Sequence, residues 1–264
     1  MTKSISLTPK PINYLQNRVL LEEIHKSKTS YCWFELPEYH QYDAIIERDT
    51  LEDSLAAIEG AVELATANYL ERIGITPAKT DLIFRVMSTD HIPTDALANS
   101  SKRARNKASR QLEEDWNADD EDEDINAGIN FPPFHHYKYD DNNNLRCVGR
   151  SHWQDGKFSS THGKVTNNLA RAWLQLCDRY STKYNFRGYS YIDEMRANAL
   201  IQLTMVGLKF NEARSDNPFA YMTAIVNNAF IRILNKEKTQ SEIVKDLREA
   251  AGLGAAFDRQ AGAE

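Results

Sequence analysis

Seven residues, Tyr221, Asn227, Asn228, Arg232, Asn235, Lys236 and Lys238, have the types and spacing to handle nucleic acid. Asparagine amides can pair with base edges, a tyrosine ring can stack on a base, and arginine and lysine hold phosphates. On a helix, Tyr221, Asn228, Arg232 and Asn235 fall on one stripe, with Asn227 beside it and two lysines at its end. Asparagine is a poor helix former, so three of them inside one helix call for a reason. A solvated polar face is the alternative that spacing alone leaves open.

A second set of residues could bind a metal. His135, His136, Cys147, His152, His162 and Cys177 lie within one stretch of chain. Zinc favours ligands paired at short spacings, whereas no two of these cysteines are close together. The adjacent His135 and His136 would point to opposite faces of a strand. A nuclease of the His-Asn-His type would need a metal-binding pair on the following helix, and the segment from 168 holds no histidine. Phosphate-binding glycine loops and a G-x-S-x-G serine motif are also missing. The expectation is a protein that is not an enzyme, with no metal and no cofactor.

The elements that must position the first set are helices. Leu169, Trp173, Leu176 and Tyr180 define a helix over about 167–181, capped by Thr166 or Asn167. Ser190 and Asp193 form a capping pair for the next helix, whose stripe is Met195, Ala199, Leu203, Val206 and Phe210. Gly207 weakens its last turn. A polar elbow, Asn211–Asp216, follows, and Asn217-Pro218 restarts the helix that carries the candidate residues. Its apolar stripe, Phe219, Met222, Val226, Phe230 and Ile233, is expected in the core. Thr239 and Glu242 could cap a last helix ended by Gly252.

Upstream, Leu51, Leu55, Ile58, Val62, Ala65, Tyr69 and Ile73 form the stripe of one amphipathic helix, with Thr50 and Asp53 as a capping pair. Asp81–Met87 and, more weakly, Tyr42–Ile46 have strand composition. Phe131–Tyr139 and Leu145–Gly149, joined by Asp-Asp-Asn-Asn-Asn, form a hairpin.

Charge is segregated along the chain. Five basic residues between Ser101 and Arg110 precede nine acids between Glu113 and Asp124, while the whole chain carries −6. The C-terminal third has an excess of Lys and Arg, which fits a local nucleic-acid site in an otherwise acidic protein. Three widely spaced cysteines do not form a disulfide framework, no apolar run is long enough to span a bilayer, and the first residues lack a secretory core. The expected class is mainly α. A small α+β unit covers 1–97, a charged, disordered linker 98–129, a β-hairpin and loop 130–165, a helical domain 166–252 and a flexible tail 253–264.

The order of Lys209-Phe210, polar elbow, Asn217-Pro-Phe-Ala-Tyr221, Asn227-Asn-Ala-Phe-Ile-Arg232 and Lys236-Glu-Lys238 resembles region 2 of bacterial sigma factors. It is most similar to the late-transcription sigma factors of tailed phages, over about 167–250. Asn130–Phe134 and Cys147–Trp153 also resemble pieces of such proteins. The resemblance implies a sigma region 2-like helical domain that binds host RNA polymerase core and directs it to phage late promoters. By motif position, Glu194 and Asn198 would dock on the clamp helices of the polymerase β′ subunit. Tyr221, Asn227, Asn228, Arg232, Lys236 and Lys238 would contact the −10-type element. This chain has Ala197 at a second polar docking position, and Ile225 and Val226 where primary sigma factors carry a tryptophan pair. The twelve residues after Gly252 are too few for a separate −35-binding domain, as in the phage late class. The resemblance further implies a coactivator and a sliding clamp as partners, the latter through the tail around Phe257, and a location in the cytoplasm of the infected bacterium. A virion or scaffold protein and a helical DNA-binding repressor are the alternatives.

Overall fold

The computed structural model describes residues 15–93, 129–161 and 163–251. Most of the charged linker and the tail beyond Ala251 lie outside the described residues. The chain divides into two compact units. The first comprises the described residues up to Ala172 together with Met205–Tyr221, and the second comprises Trp173–Thr204 and the described residues from Met222 onward.

The first unit is built on a five-stranded mixed sheet. Its strands are β1 (Cys32–Phe34), β2 (Ala44–Glu47), β3 (Ile83–Met87), β4 (Phe134–Tyr139) and β5 (Leu145–Ser151), in the spatial order β1-β5-β4-β3-β2. β2 and β3 are parallel, and every other pairing is antiparallel. The parallel pair is joined by helices α2 (Leu51–Gly60) and α3 (Val62–Ile73), as a parallel connection requires a crossover. These cover one face of the sheet, where Ile58 and Ala65 pack with Ala44, Ile46, Phe84 and Val86. Helix α1 (Asn17–Thr29) buries Leu20 and Ile24.

The apolar stripe over 51–73 is therefore split. Helix α2 ends at Gly60, and α3 starts afresh at Val62. Thr50 caps α2, its hydroxyl accepting from the Asp53 amide at 3.1 Å. Gly74, at φ 81°, closes α3 in the left-handed conformation. The hairpin forms about its asparagine turn, with Asn143 at φ 62° and Asp140 accepting from the Asn142 and Asn144 amides. It is not a unit apart from the N-terminal elements, as the expected boundaries had it. β4 pairs with β3, and β5 pairs with β1, so hairpin and N-terminal strands share one ladder and one core. A short ribbon of β6 (Trp153–Gln154) and β7 (Lys157–Phe158) follows.

The second unit is helical. It draws on α4 (Asn167–Ser181), α5 (Ile192–Val206) and α6 (Pro218–Ala250). Thr166 caps α4, its hydroxyl accepting from the Leu169 amide at 3.2 Å. The core holds Trp173, Leu176, Tyr180, Phe186, Met195, Ala199, Leu203, Met222, Val226, Phe230 and Ile233, all buried. Phe230 is its aromatic hub, with the rings of Tyr180 and Phe186 at 5.3 and 5.1 Å.

Three helix expectations are corrected. α5 stops at Val206, and Gly207–Lys209 tightens into a 3-10 turn, so Phe210 is buried from the elbow and not from the helix. Phe219 is exposed, because it lies in the first turn of α6, ahead of the buried stripe. No new helix starts at Thr239. With neither Gly nor Pro between Phe219 and Ala250, α6 runs on for 33 residues. No helix among the described residues is long and apolar enough to cross a membrane.

Candidate nucleic-acid interface

The elbow and the start of α6 belong to the first unit, and buried charge holds them there. Arg85, fully buried on β3, lies between the rings of Tyr42 and Phe134, each 3.9 Å from its guanidinium carbon. Its Nε donates to His136 Nε2 at 3.0 Å, which makes His136 Nδ1 the donor to the Tyr39 carbonyl at 2.8 Å. Burial, then the charge of Arg85, pushes the His136 pKa well below its ordinary value. Lys28, also buried, donates to the Phe210 carbonyl and to Glu212 Oε2, both at 2.6 Å. Arg85 Nη1 lies 4.0 Å from the other Glu212 oxygen. Burial pulls Lys28 down to about 8 against the pull of Glu212. Burial alone would raise the Glu212 pKa, but Lys28 and Arg85 outweigh it and hold the carboxyl below its ordinary value. Outside this core, Arg214 grips Glu47 at 2.7 Å, and Asn211 reaches the same carboxylate. Asn217 caps α6 by accepting from the Ala220 amide at 3.0 Å.

The predicted DNA-contacting residues separate in this setting. Tyr221 is half-buried against Phe210, ring centroids 5.6 Å apart, and its hydroxyl donates to the Val206 carbonyl at 2.8 Å. The side chain ties the start of α6 to the end of α5 while its ring stays half in solvent. Asn227 is turned inward, its amide oxygen accepting from the Tyr180 hydroxyl. Asn228 and Lys238 are exposed, and Arg232 is half-buried. At helical spacing Asn228, Arg232 and Asn235 share one face, separate from Met222, Val226, Phe230 and Ile233.

Lys236 is brought to Glu194, 3.8 Å away, so a predicted phosphate contact and a predicted polymerase contact meet as an ion pair between α6 and α5. Asn198, one turn after Glu194, is half-buried, and its amide oxygen has no hydrogen-bond partner among the described residues.

The metal candidates do not converge. His136 is locked by Arg85, and His135 lies on the opposite face against His91, ring centroids 4.2 Å apart. Cys177 is in the second unit, and His162 lies outside the described residues. Among the described residues no three His, Cys, Asp or Glu side chains are arranged to hold an ion.

The loop between α4 and α5 was not foreseen as a surface. Phe186 is buried between Tyr180 and Phe230, and the amides of Phe186 and Arg187 both donate to the Lys183 carbonyl at 3.0 Å. Gly188, at φ 98°, turns the chain out of the loop. The signal for it was compositional: five aromatics, two cations and no acid between Tyr180 and Tyr191.

No protein-family model, curated protein or solved structure matches the chain.

Proposed function

We propose that this chain is a promoter-specificity factor of the sigma type, directing bacterial core RNA polymerase to the late promoters of a tailed phage. The reading rests on the resemblance of about 167–250 to sigma region 2. The observation that carries it is the face of α6 on which Asn228, Arg232 and Asn235 stand apart from the buried stripe, ahead of exposed Lys238. Amides on such a face can read base edges of a −10-type element, while Arg232 and Lys238 hold the adjoining phosphates. Tyr221 fixes the start of the helix, and Asn227 fixes it against Tyr180, so both act in support of the exposed residues. Glu194 and Asn198 on α5 supply the polymerase contact, with Lys236 orienting Glu194.

The test is retention of purified core polymerase on the immobilised full chain in moderate salt. Core is expected to be retained by the wild type and lost with Glu194→Lys combined with Asn198→Lys. A variant that retains cognate core as well as the wild type removes α5 from the contact. Failure of the wild type to retain any overturns the reading. A repressor acting without polymerase would bind duplex DNA unaided, with an affinity that this double variant leaves unchanged.

A further inference from the structure

We infer that the segment from Tyr180 to Tyr191, the end of α4 and the loop after it, is a second nucleic-acid surface, which takes single-stranded DNA by stacking a base on Tyr184 while the cations Lys183 and Arg187 hold its phosphates. Tyr184 is 76% exposed, the most exposed large apolar side chain among the described residues. Arg187 stands 5.1 Å from its ring centroid, and Lys183 stands 3.6 Å from that of Tyr180.

The loop is held in shape by a buried anchor, since Phe186 packs on Phe230 and Tyr180 at 5.1 and 5.5 Å. A ring presented by a fixed loop loses little freedom when a base covers it. Tyr189 and Tyr191 continue the aromatic surface, their centroids 5.2 Å apart.

The electrostatics favour a polyanion. No acid lies between Tyr180 and Tyr191. The nearest acids in sequence on either side, Asp178 and Asp193, are both engaged by Arg196. Burial, then Tyr189 and then Glu237 on α6 raise the Tyr191 pKa, and Glu237 is flanked in sequence by Lys236 and Lys238. Interleaved aromatics and cations without acids suit a strand whose bases are free to stack. A duplex offers a loop its phosphates but keeps its base faces stacked, which leaves Tyr184 without a partner; the strand is therefore single.

The site stands on the second unit's own geometry and not on the sigma reading. Its test uses no polymerase, so the two can fail separately. Fluorescence anisotropy of a labelled 20-nucleotide oligo(dT), titrated with the full chain, is compared with a labelled 20-base-pair duplex. Tyr184→Ala is expected to weaken oligo(dT) binding by about tenfold, the size of one lost stacking contact, while Tyr184→Phe keeps it. Lys183→Gln with Arg187→Gln is expected to flatten the logarithmic salt dependence by about 1.4, since each phosphate contact on a single strand contributes about 0.7. Thermal melts check that these exposed substitutions leave the fold intact. Oligo(dT) binding that Tyr184→Ala leaves unchanged, an equal loss on the duplex, or no binding by the wild type overturns the proposal.

Discussion

The ammonium of Lys28 lies 2.6 Å from Glu212 Oε2 although 184 residues separate the two in the chain. Both side chains are almost wholly buried, and Arg85 stands on the far side of the carboxylate. Two cations thus share one buried anion. Glu212→Gln should leave both without a counter-charge and cost about 3–5 kcal/mol, measured as a fall in the urea midpoint. A loss below about 1 kcal/mol would mean that water, and not Glu212, neutralises the pair.

Stability should fall with acid below pH 6.5. Burial and Arg85 pull His25 down to about 2, and burial and His91 pull His135 down to about 3. In both cases the folded pKa lies below the unfolded value, so between about pH 3 and 6.5 the unfolded chain binds protons that the folded chain refuses. Stability therefore rises with pH through that window and is lost as pH drops through it. Urea midpoints at pH 7.5 and pH 5 check the sign. His135→Asn should reduce the slope.

Tyr221→Phe removes only the hydroxyl that donates to the Val206 carbonyl and should cost about 1 kcal/mol. Tyr221→Ala also removes the packing against Phe210 and should cost about 3 kcal/mol. Promoter opening in the phenylalanine variant separates the two roles. If it stays at wild-type level while the alanine variant fails in step with its lost stability, Tyr221 serves the helix and not a base.

Gly149→Ala tests a close approach within the sheet. A methyl group there would meet the Phe34 ring at 2.5 Å and approach His136 at 3.4 Å. Overpacking of this kind should cost about 1–3 kcal/mol, read from thermal melting. A neutral result would place Phe34 away from β5.

Glu194→Ala should alter stability by less than about 1 kcal/mol, because its pair with Lys236 is half in solvent on both sides. Chemical denaturation checks this. The outcome matters for the polymerase experiment: with the fold unaffected, lost retention reports a lost contact.

What could be read from the sequence was local. The stripe of Leu169, Trp173, Leu176 and Tyr180, the Thr50 and Asn217 caps and the asparagine turn all lie within a few residues of what they control, and each is found in the structure. Sheet order was not readable, because nothing near Cys32–Phe34 announces that its partner is β5. Nor did apolar periodicity show that Ala61 would break one helix into two, or that Phe219 would fall outside the core. Tyr221 and Asn227 have the composition of a binding face, and only the positions of Val206 and Tyr180 reveal that their polar atoms are already used. Of the candidate interface, the residue types were legible, and their division between exposed and committed was not.

The ion pair across 184 residues also sets a clock on synthesis. Lys28 leaves the ribosome early, and the carboxylate that must neutralise it follows only when Glu212 has been added. At about 5–20 residues per second that wait lasts roughly 10 to 40 s. Until then Lys28 on α1 and Arg85 on β3 lack the carboxylate that pairs with them. The first unit can therefore complete its buried charge cluster only after Trp173–Thr204 of the second has been translated, so an early helix waits for an elbow that comes late in the chain.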